Sequence, residues 1–197
     1  AIKLAPVILR FLKSDKFSIK LISTGQHKEM VEEVMKTFQL RIDIDLNIMK
    51  KKQSLEYITS AILNKLVRIF NELSPSLVLV QGDTSSAFSA ALAAFYCKIP
   101  VGHVEAGLRT NNLYSPFPEE INRRLISQLA TYNFAPTQIS LDHLKQSNTI
   151  GENFLTGNTI VDALRLVSNR AAKPIFMDKI IDDSRIIFTT IHRRENW

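Results

Sequence analysis

Leu77-Val-Leu-Val-Gln-Gly-Asp-Thr84, running into Ser85-Ser-Ala-Phe-Ser-Ala-Ala-Leu-Ala-Ala-Phe-Tyr96, decides the fold. Leu77 to Val80 is a short continuous apolar run, as expected of a parallel strand buried on both faces. Gly82 and Asp83 break it, and an alanine-rich helix follows from about Ser86 to Tyr96. Downstream the same unit recurs: a strand at Val101–Glu105, a long loop from Ala106 to Phe117, and a helix to about Ala130 with Pro118 at its first position. A strand at 132–135, a helix at 137–146, a strand at 153–155 and a helix from Thr159 continue it. Upstream stand a helix at 54–73, an extended piece at 41–46, a helix at 27–38 and a strand at Phe17–Ile22. Before these, Leu4, Val7, Ile8 and Phe11 are spaced for a helix over 3–13. Alternation of this kind predicts an α/β fold, a doubly wound, Rossmann-like parallel sheet.

Such a sheet normally begins with a strand, whereas this chain begins with a helix pattern, lacks an initial Met and stops just after the strand-like run Arg185–Ile191. We therefore expect a piece of a longer enzyme. Residues 1–170 read as an N-terminal Rossmann-like domain without its first strand, 171–184 as a linker, and 185–197 as the opening strand of a C-terminal domain.

The 197 residues carry a net charge of +6, with 22% charged and 45% hydrophobic residues, which argues against a disordered or fibrous chain. Cys97, the single cysteine, excludes an intramolecular disulfide framework and a cysteine-built zinc site. No apolar run approaches the roughly 18 residues of a membrane span, and no secretory signal stands at the start. A soluble, cytoplasmic protein with no membrane partner is expected. Residues 1–52 carry 11 Lys+Arg against 6 Asp+Glu, much of the excess lying in Lys50-Lys-Lys52. No basic stripe interleaved with aromatics accompanies it, so no nucleic-acid partner is expected. The surplus suits an anionic small substrate such as a nucleotide sugar. The chain has neither a GxGxxG fingerprint nor a Gly-Lys-Ser/Thr sequence, which speaks against nicotinamide-dependent and P-loop chemistry.

Ligands of open α/β sheets sit beyond the carboxyl ends of the strands. Ionisable residues gather there, at Gly25-Gln-His27, Gly82-Asp-Thr84, Glu105-Ala-Gly107 and His192-Arg-Arg-Glu195. Asp83 reads either as the cap of the following helix or as a reacting carboxylate. Glu105 shares a strand face with His103 by period-two alternation, and His103 itself reads as a satisfied core residue. Glu119 and Arg123 lie four apart on one helix face, where an ion pair contributes roughly 0.2–0.5 kcal/mol. The helix dipole also favours an ionised Glu119. His192, Arg193 and Arg194 offer three donors for an anion.

Gly82-Asp-Thr84, Val101-Gly-His-Val-Glu-Ala-Gly-Leu-Arg109, Tyr114-Ser-Pro-Phe-Pro-Glu-Glu120, Asn122-Arg123, Thr156-Gly-Asn-Thr159 and His192-Arg-Arg-Glu195 together resemble the non-hydrolysing bacterial UDP-N-acetylglucosamine 2-epimerases. The resemblance implies two Rossmann-type domains with the site in the cleft between them, similar to GT-B glycosyltransferases. It implies reversible conversion of UDP-N-acetylglucosamine into UDP-N-acetylmannosamine by a homodimer, with a UDP-sugar substrate and neither metal nor nicotinamide cofactor. The C2 proton is not next to a carbonyl, so simple deprotonation is too slow. Elimination of UDP to 2-acetamidoglucal and its re-addition requires a base, an acid on the opposite face and cations for the diphosphate. By position in the family pattern, the resemblance makes Asp83, Glu105 and Glu119 the acid–base carboxylates, with His192 completing the catalytic set. Lys3, Arg123 and Arg109 become substrate-binding residues. The family's GTRPE segment would precede Ala1. Some members bind a second substrate molecule as an allosteric activator, at positions matched here by Gln26, Glu29 and Lys52. Glu29 stands where those members resemble Gln, and Lys52 where they resemble Arg, whose bidentate fork a lysine cannot reproduce. A GT-B glycosyltransferase and a non-catalytic nucleotide-sugar-binding module are the alternative readings.

Overall fold

The computed structural model describes residues 1–25, 28–50, 53–110, 112–168, 187 and 189. Seven helices and six strands alternate among them: α1 (Ala5–Leu12), β1 (Ile22–Ser23), α2 (Lys28–Phe38), β2 (Ile44–Asp45), α3 (Leu55–Leu73), β3 (Val78–Gln81), α4 (Ser85–Tyr96), β4 (Val101–Val104), α5 (Glu119–Leu129), β5 (Tyr132–Ala135), α6 (Gln138–Gln146), β6 (Glu152–Leu155) and α7 (Ile160–Ser168). All strand pairs are parallel. β1 and β2 form a two-stranded sheet, and β3-β4-β5-β6 form a four-stranded one in chain order. One row of the larger sheet runs Val80, His103, Asn133, Asn153.

Among the described residues, helices cover two main cores, and a third, small cluster joins Ala106, Ala135 and Leu144. In the larger, α3 contributes Ile58, Ile62, Leu66 and Phe70, four apart and at most 4% exposed. They pack with Ala87, Ala91 and Ala94 of α4 and with Val80 and Val101 of the strands. The small side chains of α4 let it lie close between α3 and α5. The second core joins Ala5 of α1, Phe38 at the end of α2 and Ala163 of α7. Adjacent residues Leu21 and Ile22 belong to different cores, Leu21 to the second and Ile22 to the first, because neighbouring residues of an extended chain face opposite sides.

Two expectations from sequence are corrected. The strand expected over Phe17–Ile22 shrinks to Ile22–Ser23. Asp43 explains the loss: its carboxylate accepts the Leu21 N–H at 2.8 Å. Phe17 meanwhile packs edge-on against Phe11, with ring centroids 4.8 Å apart. Pro118 stands just before α5, not at its first helical position. The linker at 171–184 and the second-domain strand at 185–197 lie outside the described residues, save Ile187 and Thr189. Among the described residues no helix is long and apolar enough to cross a membrane.

Candidate active site

The ends of β3 and β4 and the start of α5 converge. The turn after β3 is built by Gly82, in the left-handed region at φ +73, whose N–H donates to the Val104 carbonyl at 3.0 Å. Thr84 then caps α4, its hydroxyl accepting the Ala87 N–H at 3.2 Å. Asp83 is thereby released from capping, and its side chain meets the Arg123 guanidinium at 2.6 Å. Asn122, also on α5, donates to the Asp83 carbonyl at 2.9 Å and ties the turn to that helix.

Glu105 does not continue the strand face of His103. It leaves β4 in the left-handed conformation, φ +67, a position that costs a non-glycine residue on the order of 1–3 kcal/mol and is held only when its surroundings require it. The bend carries its carboxylate to Lys3, with which it pairs, and to the Gln81 amide, which donates at 2.7 Å. Lys3 comes from 102 residues earlier in the chain. Glu119 opens α5, half-buried. Burial raises the Asp83 pKa above the usual carboxylate value; Arg123 opposes the rise, and the charges of Glu119 and Glu105 reinforce it. The charges of both carboxylates thus reach Asp83.

The local ion pair expected between Glu119 and Arg123 is replaced. Arg123, buried, turns to Asp83 and to Glu120, the latter at 3.5 Å. Fully buried Glu120 and partly buried Asp83 together supply the charged partners that a buried guanidinium requires. Glu120 and Asn122 were not foreseen as members of this cluster. The available signal was the doublet Glu119-Glu120 set three and four residues before Arg123-Arg124. Arg109 is half-buried on the loop beyond Glu105; its guanidinium donates to the Leu108 carbonyl at 2.8 Å. It lies near Glu120 and Arg124 and forms no hydrogen bond with Asp83. Glu29 is exposed in the first turn of α2. Gln26, Lys52 and His192 lie outside the described residues.

His103 is a fully buried core residue, as read from sequence. Its Nε2 donates to the Gly82 carbonyl at 2.8 Å, which fixes the neutral tautomer and steadies the turn that carries Asp83. Burial pushes its pKa down to about 4, outweighing the Gly82 bond, and Arg109 and Arg123 add to the fall. The unfolded chain takes up a proton near pH 6.5 that the folded chain refuses. Stability is therefore full above that pH and is lost as pH falls toward 4, by about 3 kcal/mol in all. Thermal unfolding across this window checks it: the parent chain loses stability, and His103→Gln, which keeps a donor for Gly82, shows a flatter dependence. A flat parent curve contradicts the assignment.

Residues 10–197 match the family model described as UDP-N-acetylglucosamine 2-epimerase. A protein of that name from Neisseria meningitidis is 48% identical over 205 residues, a match covering 100% of this chain and 55% of that protein. One from Bacillus subtilis is 44% identical over 197 residues, covering 100% of this chain and 52% of its own length. The crystal structure of UDP-GlcNAc 2-epimerase from Neisseria meningitidis bound to UDP-GlcNAc superposes with a TM-score of 0.82 at 49% identity, covering 86% of this chain and 46% of that one. The chain thus spans about half the length of the curated relatives it matches. With nearly its whole sequence matched and the fold shared, the chain belongs to the UDP-N-acetylglucosamine 2-epimerase family.

Proposed function

We propose that this chain is the first Rossmann-like half of a homodimeric, GT-B-like enzyme that interconverts UDP-N-acetylglucosamine and UDP-N-acetylmannosamine. The observation that carries the reading is the pair of charged contacts at the ends of β3 and β4, Asp83 with Arg123 and Glu105 with Lys3, with the charges of Glu105 and Glu119 reaching Asp83. A carboxylate on one face takes the C2 proton as the C1–oxygen bond to UDP breaks and a C1–C2 double bond forms. A carboxylic acid on the other face returns a proton to C2 as UDP adds back at C1, and C2 is inverted. Burial raises the proton affinity of Asp83 above that of an ordinary carboxylate, the direction that favours a carboxyl able to hold and return a proton. Arg123 and Lys3 supply positive charge for the diphosphate, and His192 is assigned to the same set. Shielding the glucal from water calls for closure by a second domain, so the 197 residues alone are expected to be inactive.

The test uses the protein extended to the full length of its relatives, supplied with UDP-N-acetylglucosamine and nothing else. UDP-N-acetylmannosamine is the expected product. A GT-B glycosyltransferase consumes the sugar nucleotide only when an acceptor is added, and a binding module returns it unchanged; either result overturns the reading.

A further inference from the structure

We propose that Glu120 is the positioning residue of this site: fully buried, it holds the Arg123 guanidinium between its own carboxylate and that of Asp83, and so sets how firmly Arg123 grips Asp83. This deepens the reading above and rests on it only for the assay of turnover.

The geometry is that of a shared cation. Glu120 has no exposed surface. One carboxylate oxygen accepts the Thr110 N–H at 2.9 Å and lies 3.5 Å from Arg123; the other accepts from Arg124 Nε at 2.6 Å. Arg124 also donates to the Thr110 carbonyl at 3.2 Å, so the loop beyond Glu105 is clasped to α5 by both residues. The far side of Arg123 meets Asp83 at 2.6 Å. A row of alternating charge results: Asp83, Arg123, Glu120, Arg124. Burial alone would favour a neutral Glu120, yet the bonds from Arg124 and Thr110 keep its proton affinity below the ordinary value. Glu120 therefore stands in the row as an anion.

An anion on one side of a guanidinium weakens the field that the guanidinium exerts on the other. Glu120 dilutes the hold of Arg123 on Asp83 and leaves that carboxyl able to take a proton. Arg124, partnering Glu120 from the outer side, acts in the opposite sense. The remaining charges facing the row are Glu119 on α5, Glu105 at the end of β4 with its partner Lys3, and Arg109 on the loop; buried His103, beneath the turn, is neutral.

Removing Glu120's charge frees Arg123 for Asp83, and removing Arg124's charge does the reverse. The test follows the Asp83 carboxyl by carbon-13 NMR as pH is varied, in the protein extended to the relatives' length, and so needs no turnover. Glu120→Gln is expected to move the Asp83 titration to lower pH, and Arg124→Gln to higher pH. The limb of the kcat/KM profile that belongs to Asp83 moves with it in each case. A purely structural role for Glu120 does not produce shifts of opposite sign. Equal shifts, shifts of one sign, or none overturn the proposal. Should Glu120→Gln fail to fold, the exposed Arg124 carries the test alone: an unmoved titration in Arg124→Gln overturns it. An inert parent protein refutes the epimerase reading and leaves the titration standing on its own.

Discussion

Asp83→Asn, in the protein extended to its relatives' length, is expected to lower the exchange of the C2 hydrogen with solvent deuterium by roughly 10²–10⁴-fold, the range typical of a lost acid–base group, with UDP binding retained. The size of the loss follows from the surroundings. Thr84, and not Asp83, caps α4, so the substitution does not unravel the helix. The Asp83 backbone stays anchored by Asn122, and Arg123 keeps Glu120 as a partner. What disappears is one oxygen able to carry a proton, at a place where burial and two neighbouring carboxylates raise its affinity for one. Proton NMR of the sugar nucleotide in heavy water reads the rate directly. Exchange at the parent rate removes Asp83 from the chemistry.

The largest expected effect on stability is at Gly107. Its φ of +88 lies in the left-handed region, and a Cβ there would sit 2.1 Å from the Ser140 carbonyl oxygen and 3.0 Å from Leu144 Cγ, both of α6. The Gly107 carbonyl also accepts from His143 at 3.1 Å, so the start of the loop is held flat against that helix. Gly107→Ala adds backbone strain to an overlap that only movement of α6 relieves, a cost on the order of 3 kcal/mol or more. Gly157, at φ +81 with nothing within 4 Å of the added carbon, provides the control. There alanine meets only the conformational penalty, on the order of 1 kcal/mol. Urea unfolding separates the two, and equal stability of both variants contradicts the packing described for Gly107.

Local pattern carried most of the fold. The apolar run before Gly82 and the alanine-rich segment after it became β3 and α4 within a residue or so of their expected bounds. Phe17–Leu21 misled because its alternation is genuine, while the Asp43 side chain, distant in sequence, occupies the N–H that a strand would have used. The site followed the same division. Which ends carry carboxylates was legible; who partners whom was not. Glu105 reaches Lys3 across 102 residues, and Arg123 pairs with Asp83 from the turn after β3 and with fully buried Glu120, three residues before it, in place of Glu119. Sequence periodicity ranks contacts along one element, whereas burial decides among contacts between elements. Asp83 as helix cap lost to Thr84 by a single position, a distinction set by backbone dihedrals and not by residue preference.

The central claim is that one sugar carbon sits among side chains delivered by three different elements. A crystal structure of the extended protein with UDP-N-acetylglucosamine bound measures this most directly. The account predicts the pyranose ring against the turn at Gly82, with carboxylates drawn from Asp83, Glu105 and Glu119 flanking C2 on both faces. A ring seated elsewhere, or flanked by acids on one face only, contradicts it.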